Sequence, residues 1–354
     1  MKKRYPRALL VFVLCALFCL GGSAEAVSTS AQSAILMEAG SLRVLYAQGE
    51  LDQRSIASTT KLMTALVAVE HCPDLSEIVT VDPAAVGVEG SSLYLTAGEQ
   101  LPMEHLLYGL LLQSGNDAAV AIAIHCAGDV NTFVDWMNQK ARDLGMERSH
   151  FENPNGLEAE GHYSCAYDLA LLGQAVLAQP QLATITATTS ITLGKRTFVN
   201  HNKLLRRYEG CVGLKTGFTK KAGRTLVSAA RRGATTLIAV TLNDGNDWAD
   251  HAALFDYGFA LCHSHLLARE GKIAGIVRVK GSLIPAVAVA VGNEVRYPLL
   301  ENETVTARWD LARQVEAPVR AGQALGSLTF YLNGQEIGRT DLVAAASAPR
   351  NLRS

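Results

Sequence analysis

The hydrophobic period of this chain changes twice, and the order of the changes limits the folds open to it. From Ala34 to Gln48 apolar side chains alternate through Ile35, Met37, Leu42, Val44 and Tyr46 about a turn near Gly40-Ser41, which predicts a β-hairpin. The period then becomes helical. Ala57–Glu70 contains neither Gly nor Pro and repeats Leu62, Ala65, Leu66 and Val69 on one face. Met103–Leu112 and Asn116–Ala127 follow as a helix pair broken at Gln113-Ser114-Gly115, then Thr132–Leu144 and Tyr167–Ala178. After Thr188 the period returns to two in Ser190–Leu193, Arg224–Ala230 and Thr235–Leu242, and a helix from about Ala249 to Leu261 closes the region. A sheet that receives strands from both ends of a helical insertion is an α/β domain with an all-α subdomain.

From about Leu266 the pattern differs again. Ile276–Val279, Ala286–Val291, Thr304–Trp309 and Leu325–Leu332 read as short strands between Gly, Pro and Asn signals, as in a small β-sandwich or barrel. This part holds few residues suited to catalysis and reads as an accessory or spacing module. Ser28–Ser33 reads as a polar leader and Ala344–Ser354 as a frayed end. The expected division is 1–26, 27–263, 264–345 and a tail at 346–354, and 354 residues allow about two domains.

The first segment has the three parts of a secretory signal. Lys2, Lys3, Arg4 and Arg7 precede the apolar run Ala8–Leu20, and Ala24-Glu25-Ala26 offers small residues for cleavage. The alternative is an uncleaved anchor, although the apolar run is short for a membrane span. The formal net charge is −1. Removing residues 1–26 takes away four basic residues and one acidic one, leaving 28 Lys+Arg against 32 Asp+Glu. With no basic run beyond the leader, a nucleic-acid partner has no support. The seven cysteines form no CxxC pair, which argues against a zinc ribbon or a small disulfide scaffold. Five remain in the mature chain: Cys72, Cys126, Cys165, Cys211 and Cys262. Cys72 ends one predicted helix and Cys126 another. They either bridge or lie among five buried apolar thiols.

Three triplets carry chemistry. Ser58-Thr59-Thr60-Lys61 opens the first strong helix, where residues three apart share a face, so the hydroxyl and the amine can meet. A serine hydroxyl needs a neighbouring base, and a lysine with a lowered pKa can serve. Alone, the pattern also fits a serine N-cap beside an exposed lysine. Ser114-Gly115-Asn116 lies at a break between helices, where a loop can expose polar groups to a cleft or cap a helix. Lys215-Thr216-Gly217, before Phe218, reads as a strand whose glycine lets a ligand approach, or as an exposed turn.

Each triplet occurs once, in the order Ser-x-x-Lys, Ser-x-Asn, Lys-Thr-Gly, and the chain here resembles the penicillin-recognising acyl-serine enzymes. The flanks Ile56–Ala65, Gln113–Ala118, Asn153–Leu157 and Val212–Thr219 look like the serine-type D-alanyl-D-alanine carboxypeptidases of the low-molecular-mass penicillin-binding group, peptidase family S11. The resemblance is close over about residues 34–262 and looser over the β-rich tail. It implies a β-lactamase/transpeptidase-like domain, with an antiparallel sheet, helices and an all-α subdomain, followed by a small all-β domain. It also implies the substrate, a peptidoglycan stem peptide ending in D-Ala-D-Ala, with β-lactam antibiotics as covalent inhibitors. Ser58 would attack the carbonyl between the terminal D-alanines, with Lys61 as proton acceptor. Ser114 would relay a proton to the leaving amine and Asn116 would hold the substrate amide. Lys215 and Thr216 would bind the terminal carboxylate beside Gly217, and the backbone N–H groups of Ser58 and Phe218 would form the oxyanion hole. This route needs no metal or other cofactor.

Gly115 stands where related enzymes often carry Asp, which suits the carboxypeptidase branch, and no E-x-x-L-N stretch follows to supply a lactamase carboxylate. Arg224 either strengthens the carboxylate pocket or is a surface arginine on the next strand. His162 and His251 lack paired ligand spacing and fit loop or capping roles. Family members often end in an amphipathic helix on the membrane surface, yet Ala344–Ser354 is short and contains Pro349, so no C-terminal anchor is expected. The expected location is extracytoplasmic, in the wall or on the outer face of the membrane. The rival readings are a β-lactamase-type hydrolase and a catalytically silent wall-binding protein.

Overall fold

The computed structural model describes residues 12–13, 27–299 and 303–351. The expected leader lies outside the described residues apart from Phe12–Val13 (β1). The chain divides into two compact units, one spanning Ala24–Ala260 and the other taking in Leu261–Ser354.

In the larger unit, β2 (Ser33–Glu38) and β3 (Arg43–Gln48) form the expected hairpin. The helical insertion follows: α1 (Lys61–His71), the short pair β4 (Ile78–Thr80) and β5 (Gln100–Pro102), α2 (Met103–Leu112), α3 (Asn116–Ala127), α4 (Val130–Asp143), α5 (Ala166–Ala178) and α6 (Pro180–Ala187). Then come β6 (Ser190–Leu193), β7 (Arg196–Val199), the single turn α7 (Leu204–Arg207), β8 (Cys211–Thr219), β9 (Gly223–Arg232), β10 (Thr235–Leu242) and α8 (Asp247–Leu261). The main sheet runs β3-β2-β10-β9-β8, antiparallel throughout. The opening hairpin thus closes onto the last strand, with Leu237 opposite Glu38 and Leu242 opposite Ser33.

The inner strands β2, β9 and β10 are buried on both faces over most of their length, which explains their near-continuous apolar runs. Ile35, Met37, Val227, Ala229, Ile238 and Val240 face the helical core, whereas Leu36, Leu226, Leu237 and Ala239 meet Leu254 and Phe255 of α8. α1 differs from the one-faced helix that its period suggests: Lys61 through Val69 are all buried. A helix surrounded on every side belongs in a core, and its only charge inside that run is Lys61. The polar leader is anchored too. Ser30 donates from its amide to Asp250 and from its hydroxyl to Asp244.

The smaller unit holds β11 (His263–Ala268), β12 (Ile273–Lys280), β13 (Ala286–Val291), β14 (Val295–Leu299), β15 (Val305–Leu311), β16 (Gln314–Glu316), β17 (Ala324–Leu332) and β18 (Gln335–Ala344). Its larger sheet runs β1-β15-β17-β18-β13-β12-β16, and β11 pairs with β14. Val277, Val289, Phe330 and Leu342 lie in its core. The frayed end is overturned as far as Asn351. Ala348 is buried and pairs with Val319, and the Asn351 amide donates to the Gly281 carbonyl at 2.8 Å.

Candidate active site

The residues Ala57–Thr60 form a 3-10 turn rather than the first turn of the α-helix. Ala57 takes a left-handed φ of +48°, a cost that local packing must offset. Threonine side chains hold the turn. Thr59 Oγ1 donates to the Ile56 carbonyl at 2.6 Å, Thr60 Oγ1 donates to the Ala57 carbonyl at 2.8 Å, and Thr225 Oγ1 from β9 donates to the Ile56 carbonyl at 3.1 Å. The chain then enters α1, so Ser58 and Lys61 meet: Lys61 Nζ lies 2.8 Å from Ser58 Oγ.

Lys61 is fully buried, and every contact of its amine is polar. Nζ donates to Asn116 Oδ1 at 2.7 Å and to the Asn155 carbonyl. Burial first, and the Lys215 charge second, hold its pKa well below the ordinary lysine value, with Asp117 opposing. A neutral lysine amine beside a serine hydroxyl is a base positioned to take its proton.

Asn116 begins α3, and its own orientation is fixed. Nδ2 donates to the Glu89 carbonyl, which turns Oδ1 towards Lys61. Ser114 sits in the break before α3 with φ +65° and is buried. A Cβ on Gly115 would lie 2.7 Å from Leu93 Cγ. The packing of the Ser91–Leu95 loop therefore explains the glycine in the middle triplet. Asp117 secures that loop by accepting from Ser92 Oγ and from the amides of Leu93 and Leu95.

The third triplet lies on β8, which runs past the turn that bears the serine. A Cβ on Gly217 would stand 2.9 Å from the Ser58 amide nitrogen and 2.4 Å from Thr225 Oγ1. Only glycine lets the strand come this close. Lys215 is buried and donates to the Thr216 carbonyl at 2.8 Å, and burial pushes its pKa down to about 7. Its charge reaches Lys61 and, after partial burial, also lowers the pKa of His201.

Arg224 stands opposite Phe218 on β9, and its guanidinium is held by Asp247 at the start of α8, Nη2 to Oδ1 at 2.7 Å and Nε to Oδ2 at 3.0 Å. It also lies over the Trp248 ring, 5.4 Å from the centroid. His251 departs from a loop or cap: it is buried in α8 between Ser228 Oγ and Thr241 Oγ1, its pKa pushed down to about 3 by burial.

Several contributors escaped the sequence reading. The carbonyls of Pro154 and Asn155 accept from Thr64 and Lys61, and a main-chain acceptor has no residue-type signature. His162, expected in a loop, lies in one, but its burial behind the serine turn was not foreseen. Its Nδ1 accepts from the Glu152 amide at 3.1 Å, so Nε2 carries the proton and donates to Thr60 Oγ1 at 2.8 Å. Burial pushes its pKa down to about 4, so the imidazole stays neutral. The turn Asn153-Pro154-Asn155-Gly156 was the signal available.

A serine and a buried low-pKa lysine on one turn, an asparagine binding the lysine, and a strand passing edge-on with a second buried lysine define an acyl-transferring serine hydrolase of the penicillin-recognising class. The family described as D-alanyl-D-alanine carboxypeptidase matches residues 21–246, and the penicillin-binding protein 5 C-terminal domain matches residues 263–350. The chain belongs to this carboxypeptidase family, peptidase S11. It is 30% identical to the D-alanyl-D-alanine carboxypeptidase DacF of Bacillus subtilis over 339 residues, 92% of this chain and 87% of that protein. It is 33% identical to DacC of Escherichia coli over 345 residues, 92% of this chain and 86% of that protein. The crystal structure of penicillin-binding protein 5 from Haemophilus influenzae superposes with a TM-score of 0.76 at 27% identity, covering 92% of this chain and 99% of that one. The fold class expected from the sequence is the one observed.

Proposed function

We propose that the chain cleaves the terminal D-Ala-D-Ala bond of peptidoglycan stem pentapeptides through an acyl-serine intermediate and is acylated at the same serine by β-lactams. The contact of Lys61 Nζ with Ser58 Oγ in a buried site carries this reading. Neutral Lys61 takes the Ser58 proton as Oγ attacks the carbonyl carbon. The tetrahedral oxyanion forms in the gap between β8 and the serine turn, where the amides of Ser58 and Phe218 are the donors, each worth about 3–4 kcal/mol in sites of this kind. Ser114 passes a proton to the leaving D-alanine amine, and Asn116 both steadies Lys61 and binds the substrate amide. Lys215, charged, and Thr216 bind the terminal carboxylate. Water then hydrolyses the ester.

The chemistry places the enzyme outside the cytoplasmic membrane, where the wall peptides are. Among the described residues no helix is long and apolar enough to cross a membrane.

Labelled penicillin followed by peptide mapping is the direct test. The label is expected on Ser58 and is lost in Ser58→Ala, along with D-alanine release by on the order of 10⁴-fold or more. A label elsewhere would sink the mechanism. A long-lived adduct together with D-alanine release separates the carboxypeptidase from a β-lactamase and from a silent binding protein.

A further inference from the structure

Five cysteines lie among the described residues outside the proposed chemistry. Two of them converge. Cys72 is the residue that ends α1 and Cys126 lies in the last turn of α3, and their Sγ atoms are 2.9 Å apart, 54 positions apart in the chain. We propose that Cys72 and Cys126 form a disulfide that staples the far ends of the two helices whose near ends build the active site.

The geometry favours this pairing over the other chemistry the neighbourhood offers. Glu77 and His125 are close by, His125 Nε2 lying 3.2 Å from Glu77 Oε1, and one donor atom each from Cys72, Glu77 and His125 fall within 4.8 Å of one another. Two thiolates sharing a tetrahedral divalent ion at about 2.3 Å each stand roughly 3.8 Å apart. The two sulfurs are closer than that, and so converge on each other. Burial, then the neighbouring Cys72, pushes the Cys126 thiol up, so in the finished fold Cys126 rests as a thiol.

The oxidation is a thiol–disulfide exchange with a disulfide-carrying acceptor outside the cytoplasm. One cysteine, as thiolate, attacks a sulfur of the acceptor, whose other sulfur leaves as thiolate. The second cysteine, having lost its proton, attacks the mixed disulfide and expels the first acceptor sulfur. Two thiols lose two protons and two electrons, and the acceptor disulfide becomes two thiols. The exchange takes place while the helices assemble, before burial raises the thiol.

The consequence reaches the site through the helices. At the near end α1 and α3 are joined by Lys61 Nζ to Asn116 Oδ1 at 2.7 Å. At the far end, about 15 Å away along an 11-residue helix, the disulfide joins them again. A pair fixed at both ends cannot slide, and the base and its asparagine partner stay in register.

Differential alkylation of the exported protein tests this. Trypsin leaves both cysteines in one fragment, since no Lys or Arg lies between Lys61 and Lys140. Before reduction that fragment is expected to be lighter by two hydrogens and closed to alkylation, and after cleavage at its glutamates the piece with Cys72 and the piece with Cys126 should separate only on reduction. Reduction should lower the Tm of the wild type by about 5–10 °C. It should leave the Tm of the C72S/C126S double variant unchanged, and each single variant should lose as much as the double. Both thiols alkylated without reduction would overturn the proposal. So would thiols opened by a chelator together with stoichiometric bound zinc, which would make the cluster a metal centre with Glu77 and His125. Penicillin acylation of Ser58, read in the same samples, tests the catalytic reading independently.

Discussion

Two buried lysines divide the work of the proposed mechanism at the residue scale, because burial acts on both and that mechanism asks opposite things of them. Lys61 must be neutral to accept a proton, and its lowered pKa favours that state. Lys215 must be charged to meet a carboxylate, yet burial brings its pKa to about 7. Activity therefore rises with pH through the Lys61 pKa, and kcat/KM falls above about pH 7, about tenfold per unit, as free enzyme loses the Lys215 proton. A bound carboxylate stabilises the ammonium and raises its pKa, so kcat should persist to higher pH than kcat/KM. Lys215→Arg keeps its charge throughout, and its profile is expected to lose the alkaline limb even where absolute activity drops. D-alanine release across the pH range checks this, and a wild type with no alkaline limb in kcat/KM would exclude the role of Lys215.

At the scale of elements, a helix pattern became a 3-10 turn leading into a helix. Ala57–Glu70 reads as one continuous helix, and nothing in its composition announces the turn at Ala57–Thr60. The turn is imposed from outside, by Thr225 of β9, by His162 and by Gly156. Gly156 has φ +84°, and a Cβ there would lie 2.0 Å from the Ala57 carbonyl oxygen. Gly156→Ala is expected to lose at least about 2–3 kcal/mol and to slow penicillin acylation more than tenfold. Gly145→Ala serves as the control: its φ is +73° with open space around it, so it should lose about 1 kcal/mol and keep its acylation rate. Equal effects of the two on acylation would show that Gly156 does not position the serine. Of the predicted elements, Met103–Leu112, Asn116–Ala127, Ser190–Leu193, Thr235–Leu242 and Ala286–Val291 were legible residue for residue, since each is a run of one period bounded by a local break. α6, β7, β11, β14, β16 and β18 were not. β18 opens with Gln335, Glu336, Gly338 and Arg339, and pairing with β17 overrides that polar composition.

At the scale of the whole chain, the larger unit is closed by its ends. β2, near the start, pairs with β10 some two hundred positions later. Leu36 of β2 packs between the sheet and α8, where Gly258 leaves it room. Leu36→Ala should lower unfolding stability by about 2–4 kcal/mol while leaving Ser58 acylation intact below the transition. Denaturant unfolding followed alongside penicillin labelling measures both, and a parallel loss of acylation under native conditions would show that the closure shapes the site directly. The sequence alone determined the alternation of periods, and with it a sheet fed from both ends of a helical insertion. It also determined the three triplets, because chemistry requires a hydroxyl, amines and an amide at fixed local spacings. Only the tertiary structure decided which way each group acts. A lysine pKa falls through burial and a neighbouring charge, a glycine becomes necessary when its Cβ would stand 2.9 Å from the Ser58 nitrogen, and carbonyls such as that of Asn155 become acceptors by position alone. These are long-range properties of packing, and no local pattern of residues encodes them.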